Sequence, residues 1–314
     1  MKNTNVKRLV AAALALTLSL GLAACGSTGE TSSAPAATDT AADTTQTGSS
    51  DASADASSET TYSPENPVTV KLGLTASIYE DIWNPIKEKV AAEGINLEYV
   101  QFSDYALPNE ALENGEIDIT SHQHHAYFNN QIAQEGWTDL TSIGDTFIIA
   151  MNLYSDKIKS VDEIQDGDKI SVPNDASNEG RALKLLANAG IITLKADAGA
   201  NPEINDIETY NKKVELVELN ASDTVSSLPD VTAAVINGNY ALDAGIDPTT
   251  AIYNEEKYDD DSYFCLLAVR EADKDRPELK RLVELFQSDD TKKIFDDEFK
   301  GYFKPAWEYK FDEQ

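Results

Sequence analysis

The chain has 314 residues, with 25 Lys and Arg against 55 Asp and Glu and a net charge of -30. Such acidity leaves no broad basic surface for neutralising phosphates, which excludes nucleic acid and electrostatic attachment to anionic lipid. The two cysteines, Cys25 and Cys265, rule out a disulfide-stapled scaffold and a four-thiolate zinc site, while 41% hydrophobic and 25% charged residues at this length predict one large or two medium globular domains.

Lys2, Lys7 and Arg8 precede an apolar run from Leu9 to Ala24, the order of a secretory signal. That run is shorter than the roughly 20 residues that span a bilayer, and no later stretch approaches that length. Leu22-Ala23-Ala24-Cys25, followed by Gly26, resembles the bacterial lipobox, which implies cleavage after residue 24 and acylation of Cys25. An ordinary small-residue cleavage site with an incidental cysteine is the alternative. Of the 42 residues from Gly26 to Pro67, 32 are Ser, Thr, Ala, Gly or Pro, too little apolar surface to fold. Residues 25–67 are expected to be an acidic tether, with an end-to-end distance on the order of 35 Å.

The folded part is expected over 68–314. Alternation marks Val68 to Leu74 as a strand, and Ile78, Ile82, Ile86 and Val90 fall at helical spacing up to Gly94. The pattern continues with a strand at Leu97 to Phe102, a short helix at Pro108 to Asn114, a strand at Ile117 to Ile119 and a helix at Ala126 to Glu135. Phe147 to Tyr154 reads as one long strand leading out of this unit. A second series follows, with strands at Lys169 to Val172, Val214 to Leu219 and Thr232 to Ile236 and a helix at Asn178 to Asn188. Ser262 to Val269 reads as a returning strand, and a last helix starts near Pro277 with Leu279, Leu282, Val283 and Phe286 on one face. Alternating strands and helices predict parallel sheets covered by helices. Crossings near 147–154 and 253–265 would divide them into two lobes with a cleft, although one doubly wound sheet also fits; either way the ligand belongs beyond the carboxyl ends of strands.

Three constellations could carry chemistry. All three histidines lie in His122-Gln123-His124-His125, between a strand and a helix. His122 and His124 could pair on a metal, but no third ligand sits at the right spacing on the following helix, and lining a small-molecule cleft is the favoured reading. Val172-Pro-Asn-Asp-Ala-Ser-Asn-Glu-Gly-Arg181 is a strand, a polar turn and a helix start, where free N–H groups and the Arg181 fork would hold an anion; plain helix capping is the alternative. Asn237 stands at the end of an apolar strand, where its amide can donate and accept. No nucleophile elbow, P-loop, H-E-x-x-H or dinucleotide glycine pattern is present, so no enzyme is expected.

In order along the chain, Phe102 to Leu112, Gln123-His124 with Tyr127, Ile143-Gly-Asp-Thr-Phe147, Val172-Pro-Asn-Asp to Arg181-Ala-Leu, and Ala-Val-Ile-Asn237 resemble the NlpA family of methionine-binding lipoproteins of ABC importers, over essentially all of 68–314. The resemblance implies an α/β, two-lobed periplasmic-binding-protein-like fold with the ligand cleft between lobes, lobe 1 at about 68–148 plus 253–314 and lobe 2 at about 149–252. It implies that Arg181 meets the ligand carboxylate, that Asn178 and Asn237 bind the polar ends of the amino acid, and that Tyr105, His124 and Tyr127 line the side-chain pocket with His122. It further implies a monomer anchored by lipid on the extracytoplasmic face of the cell membrane, partnered by a permease and its ATPase, with neither cofactor nor metal. His122 stands where the family usually has Phe, Thr120 where it often has Asn, and Ser262-Tyr-Phe-Cys265 where it commonly reads P-Y-x-N. Beside methionine or a related amino acid, the cargo could therefore be a methionine-containing dipeptide or another polar amino acid. An extracytoplasmic hydrolase using the histidines and a lipid-anchored adhesin are the rival classes.

Overall fold

A computed structural model describes residues 62–311; Cys25, the signal segment and the tether up to residue 61 lie outside the described residues. Strand β1 (Val68–Leu74) leads into helix α1 (Ile78–Glu93), whose Tyr79, Ile82, Trp83, Ile86 and Val90 recur every three to four residues and are buried. Gly94 ends α1 with φ at 94°, and a Cβ there would lie 2.2 Å from the Ser63 backbone. The chain before β1 is thus already packed: Ser63 and Asn66 form a bridge, and Tyr62 rests on the core. The folded part therefore begins ahead of Val68.

There follow β2 (Ile95–Gln101), α2 (Leu107–Glu113), β3 (Ile119–His124), α3 (His125–Glu135) and β4 (Leu140–Asp145). The run 147–154, read from sequence as one strand, divides at Ala150 into β5 (Phe147–Ile149) and β6 (Met151–Tyr154). The second series comprises β7 (Lys169–Pro173), α4 (Ala176–Asn188), a hairpin of β8 (Ile192–Leu194) and β9 (Ile207–Tyr210), β10 (Glu215–Leu219), β11 (Ala233–Asn237) and α5 (Gly238–Asp243). The chain returns through β12 (Cys265–Arg270), α6 (Pro277–Phe286), α7 (Asp289–Asp297) and β13 (Phe303–Pro305).

The strands build two main sheets, ordered β2-β1-β3-β12-β4 and β10-β7-β11-β6, each the centre of one lobe. The expectation of purely parallel sheets is corrected here. β12 is antiparallel to β3 and β4, and β6 is antiparallel to β11. The reason is topological: β6 and β12 are the strands that each follow a crossing between lobes, so no βα crossover sets their direction. For the same reason the two halves of 147–154 find different partners, β5 pairing with β13 and β6 with β11. One core packs α1, α6 and α7 on the first sheet, and another packs α4 on the second.

A capping contact joins the lobes. Ser77, at the start of α1, has no side-chain cap of its own. Instead Asp243, the last residue of α5, accepts from Ser77 N at 2.9 Å and Ile78 N at 3.3 Å, and from the Ser77 hydroxyl.

Candidate functional site

The carboxyl ends of β3, β7 and β11 converge on one buried cavity. All seven side chains singled out above, Tyr105, His122, His124, Tyr127, Asn178, Arg181 and Asn237, line it, together with Tyr79, Gln123, Ile149, Gly238, Asn239 and Cys265. A regular strand sends alternate residues to opposite faces, yet His122, Gln123 and His124 all reach this cavity. A bulge explains it: Leu266 and Leu267 of β12 pair with Gln123 and Ser121, leaving His122 as the extra residue. The strand carrying the histidines thus runs to His124, longer than the sequence pattern indicated.

Most polar atoms of these residues are engaged by the protein. His124 caps α3, its Nδ1 accepting from Tyr127 N at 3.1 Å, while its Nε2 lies 3.2 Å from Asn178 Oδ1. Asn178 Oδ1 also accepts from Asn237 Nδ2 at 2.8 Å, and Asn178 Nδ2 donates to both carboxylate oxygens of Asp175. The amide of Asn178 is therefore saturated. Tyr105 donates to Asn239 Oδ1 at 2.5 Å, and its ring lies 4.9 Å from that of Tyr240.

Arg181 was expected to offer its fork to a ligand carboxylate, but Glu255 already occupies much of it. Arg181 Nε donates to Glu255 Oε1 at 2.7 Å, and Nη2 donates to Glu255 Oε2 and to Ile149 O at 2.9 Å. The guanidinium lies 4.4 Å from the Tyr263 ring. Burial works to lower the Arg181 pKa, and the charge and hydrogen bonds of Glu255 overcome it and raise it.

Three residues of the cavity wall carry a buried polar atom with no protein partner: His122 Nδ1 on β3, Asn237 Oδ1 at the end of β11 and Asn239 Nδ2 on α5. Such groups cost free energy unless something satisfies them. Burial also pushes both His122 and His124 down to about 3, with the Arg181 cation adding to the effect on His124, so the imidazoles are neutral at physiological pH. Burial pushes the Cys265 thiol up to about 12. Among the described residues no cluster of three His, Cys, Asp or Glu could hold a metal ion. The cavity has about 20 Å³ of free volume, room for about one water, while an adjoining groove between α3, α4 and the 253–263 segment opens to about 1030 Å³. Arg181 borders both.

Sequence reasoning missed Asn239 and Glu255. Asn239 had a signal, since a Cβ on Gly238 would lie 2.6 Å from Ala150 O, so only glycine lets α5 start this close to the crossing. Glu255 gave none, lying in an acidic loop without periodicity.

Two α/β lobes joined by crossings, with a partly unsatisfied polar cavity at the strand ends, define a solute-binding protein. The chain belongs to the NlpA lipoprotein family, which matches residues 70–307. It is 37% identical over 248 residues to the D-methionine-binding lipoprotein MetQ of Escherichia coli O157:H7, covering 77% of this chain and 90% of that protein. A nutrient-binding protein from Burkholderia cenocepacia, solved bound to methionine, is 40% identical with a TM-score of 0.70, covering 75% of this chain and 99% of that one. The substrate-binding protein of a methionine transporter from Streptococcus pneumoniae is 32% identical with a TM-score of 0.72, covering 76% and 96%.

Proposed function

We propose that this protein captures methionine or a closely related amino acid outside the membrane and hands it to the permease of an ABC importer, driven by its ATPase. The observation that carries this reading is the pair of unpartnered amide atoms, Asn237 Oδ1 and Asn239 Nδ2, on residues that line one cavity between the lobes. Asn237 Oδ1 is an acceptor suited to an ammonium, and Asn239 Nδ2 a donor suited to a carboxylate. Arg181 supplies charge for the carboxylate through Nη1, the nitrogen that neither Glu255 nor Ile149 occupies. Tyr105, Tyr127, His122 and Cys265 surround the side chain, and Asn178 and His124 hold this wall in shape. A cavity of 20 Å³ lies far below the roughly 300 Å³ at which ligand pockets begin, so the ligand enters with the lobes parted and they close over it about the crossings.

Lobe 1 spans about 68–148 and 253–314, lobe 2 about 149–252, and acylated Cys25 with the tether keeps the domain at the extracytoplasmic face of the cell membrane. The protein performs no chemistry on its ligand and acts as a monomer. Supporting this reading are the relatives, whose names describe methionine-binding lipoproteins and a transporter's substrate-binding protein. A methionine-containing dipeptide is a second candidate cargo, favoured by the large groove that shares Arg181 with the cavity. Calorimetric titration of protein stripped of carried-over ligand decides between them. Saturable binding of methionine supports the first, dipeptide binding alone supports the second, and silence towards both refutes the reading.

A further inference from the structure

Among the described residues that line the cavity Arg181 is the one cation, and its charge is already answered. Glu255 is held by more than Arg181, since Oε2 also accepts from Met151 N at 3.0 Å and from Tyr258 OH at 3.1 Å, while Glu255 N donates to Asn152 Oδ1 at 2.9 Å. Displacing Glu255 would break its hydrogen bonds from Met151 N and Tyr258 as well as those from Arg181, which favours the pair when ligand binds. A second acid, Asp175, lies one hydrogen bond behind the wall, buried and bonded to Asn178 and Ser177. Among the described residues the charged groups on the cavity wall or hydrogen-bonded to it are therefore Arg181, Glu255 and Asp175, and the histidines contribute none near neutral pH.

We infer that Glu255 is a specificity-determining residue, which cancels the Arg181 charge while leaving Nη1 to orient a carboxylate, and so makes the site select zwitterions over monoanions. A zwitterion adds no net charge to this surrounding and brings an ammonium that the acids favour. A ligand with only a carboxylate, or with an acidic side chain, adds an uncompensated negative charge at low dielectric. The inference rests on the proposed contact between Arg181 and the ligand carboxylate.

The test uses the full chain, stripped of carried-over ligand, and titrates three probes by calorimetry: L-methionine, 4-(methylsulfanyl)butanoate, which lacks the ammonium, and L-methioninamide, which lacks the carboxylate. The natural protein should prefer the amide cation to the butanoate anion by at least about tenfold, the scale of one partly screened charge a few ångströms away. Glu255→Gln should shrink the methionine-to-butanoate affinity ratio by at least about tenfold, whereas Glu255→Asp, which keeps the charge and loses reach, should weaken both and leave the ratio within about threefold. Equal loss of both ligands in Glu255→Gln, or an equal change of ratio in Glu255→Asp, would show a merely structural role and overturn the inference. Were Glu255→Gln not to fold, a natural protein preferring the anion to the amide would overturn it. Methionine binding with no charge preference defeats this inference alone; silence of the natural protein towards every amino acid defeats the proposed function and this inference with it.

Discussion

Replacing Arg181 with Ala should cost far more stability than a surface ion pair would suggest. Arg181 and Glu255 are 4% and 11% exposed at their side chains, so neither charge is well hydrated. Without the guanidinium, the Glu255 carboxylate is left among the described residues with Met151 N and Tyr258 OH as donors. Breaking one side of such a pair costs about 3–5 kcal/mol. For a domain of this size that is a fall in Tm of roughly 6–20 °C. Arg181→Met combined with Glu255→Gln removes both charges and should recover at least half of the loss, because no unpaired charge stays buried. Thermal unfolding of Arg181→Met, Glu255→Gln and the double variant, followed by circular dichroism, measures the coupling. Additive losses, with a double variant as unstable as the sum of the singles, would refute the argument that the two charges are one buried unit.

Acid should weaken the fold through the cavity histidines. The folded protein holds His122 and His124 neutral down to about 3, whereas the unfolded chain binds protons from 6.5. Their contribution is therefore complete above pH 6.5 and lost as pH falls from 6.5 towards 3, by up to about 5 kcal/mol in all at a pH near 4.5. His125, whose hydrogen bond to Asp145 raises its pKa, works the other way and gives stability below its unfolded value. Melting at neutral and acid pH checks this, and His122→Gln should lose about half of the drop; an unchanged drop contradicts the assignment. His122→Phe trades the unpartnered Nδ1 and the 3.3 Å contact of Nε2 with Tyr105 O for an apolar edge, so methionine should bind several-fold tighter, about 0.5–1.5 kcal/mol, and weaker binding in a titration counts against the thioether pocket. Asp243→Ala deletes the cap that one lobe places on α1 of the other, costing about 1 kcal/mol of the closed form. Stopped-flow release of methionine should speed up roughly fivefold, and an unaltered off-rate would show that the cap does not hold the lobes together.

Much of the fold was legible because its elements are amphipathic. The i, i+4 spacing of α1 and the alternation of β1 each have one face to bury, and the apolar residues mark it. The run 147–154 was not, since it is buried apart from Ala150 and apolar apart from Asn152 and the Tyr154 hydroxyl, so it carries little mark of its pairing partners; its halves serve different sheets. At the site, residues on strand ends and helix starts were found from position and chemistry. The bulge at His122 was invisible because it depends on the register of β12, some 140 residues later in sequence. Glu255 was missed for a related reason: its partner is 74 residues away, and an acidic loop in an acidic chain looks like solvated surface. Conversely, Asn178 was read as a ligand contact, and the structure spends its whole amide on Asp175, Asn237 and His124.

The central claim is that the cavity between the lobes takes a small zwitterionic amino acid. Its most direct test is a calorimetric titration of the unfolded and refolded protein with L-methionine, the other amino acids and methionine dipeptides, in the natural protein and in Asn237→Ala. The account predicts one-to-one saturable binding of methionine that Asn237→Ala weakens at least tenfold, the cost of an ammonium left without its acceptor. Binding of methionine with equal affinity in both proteins, or no heat from any of these ligands, would contradict it.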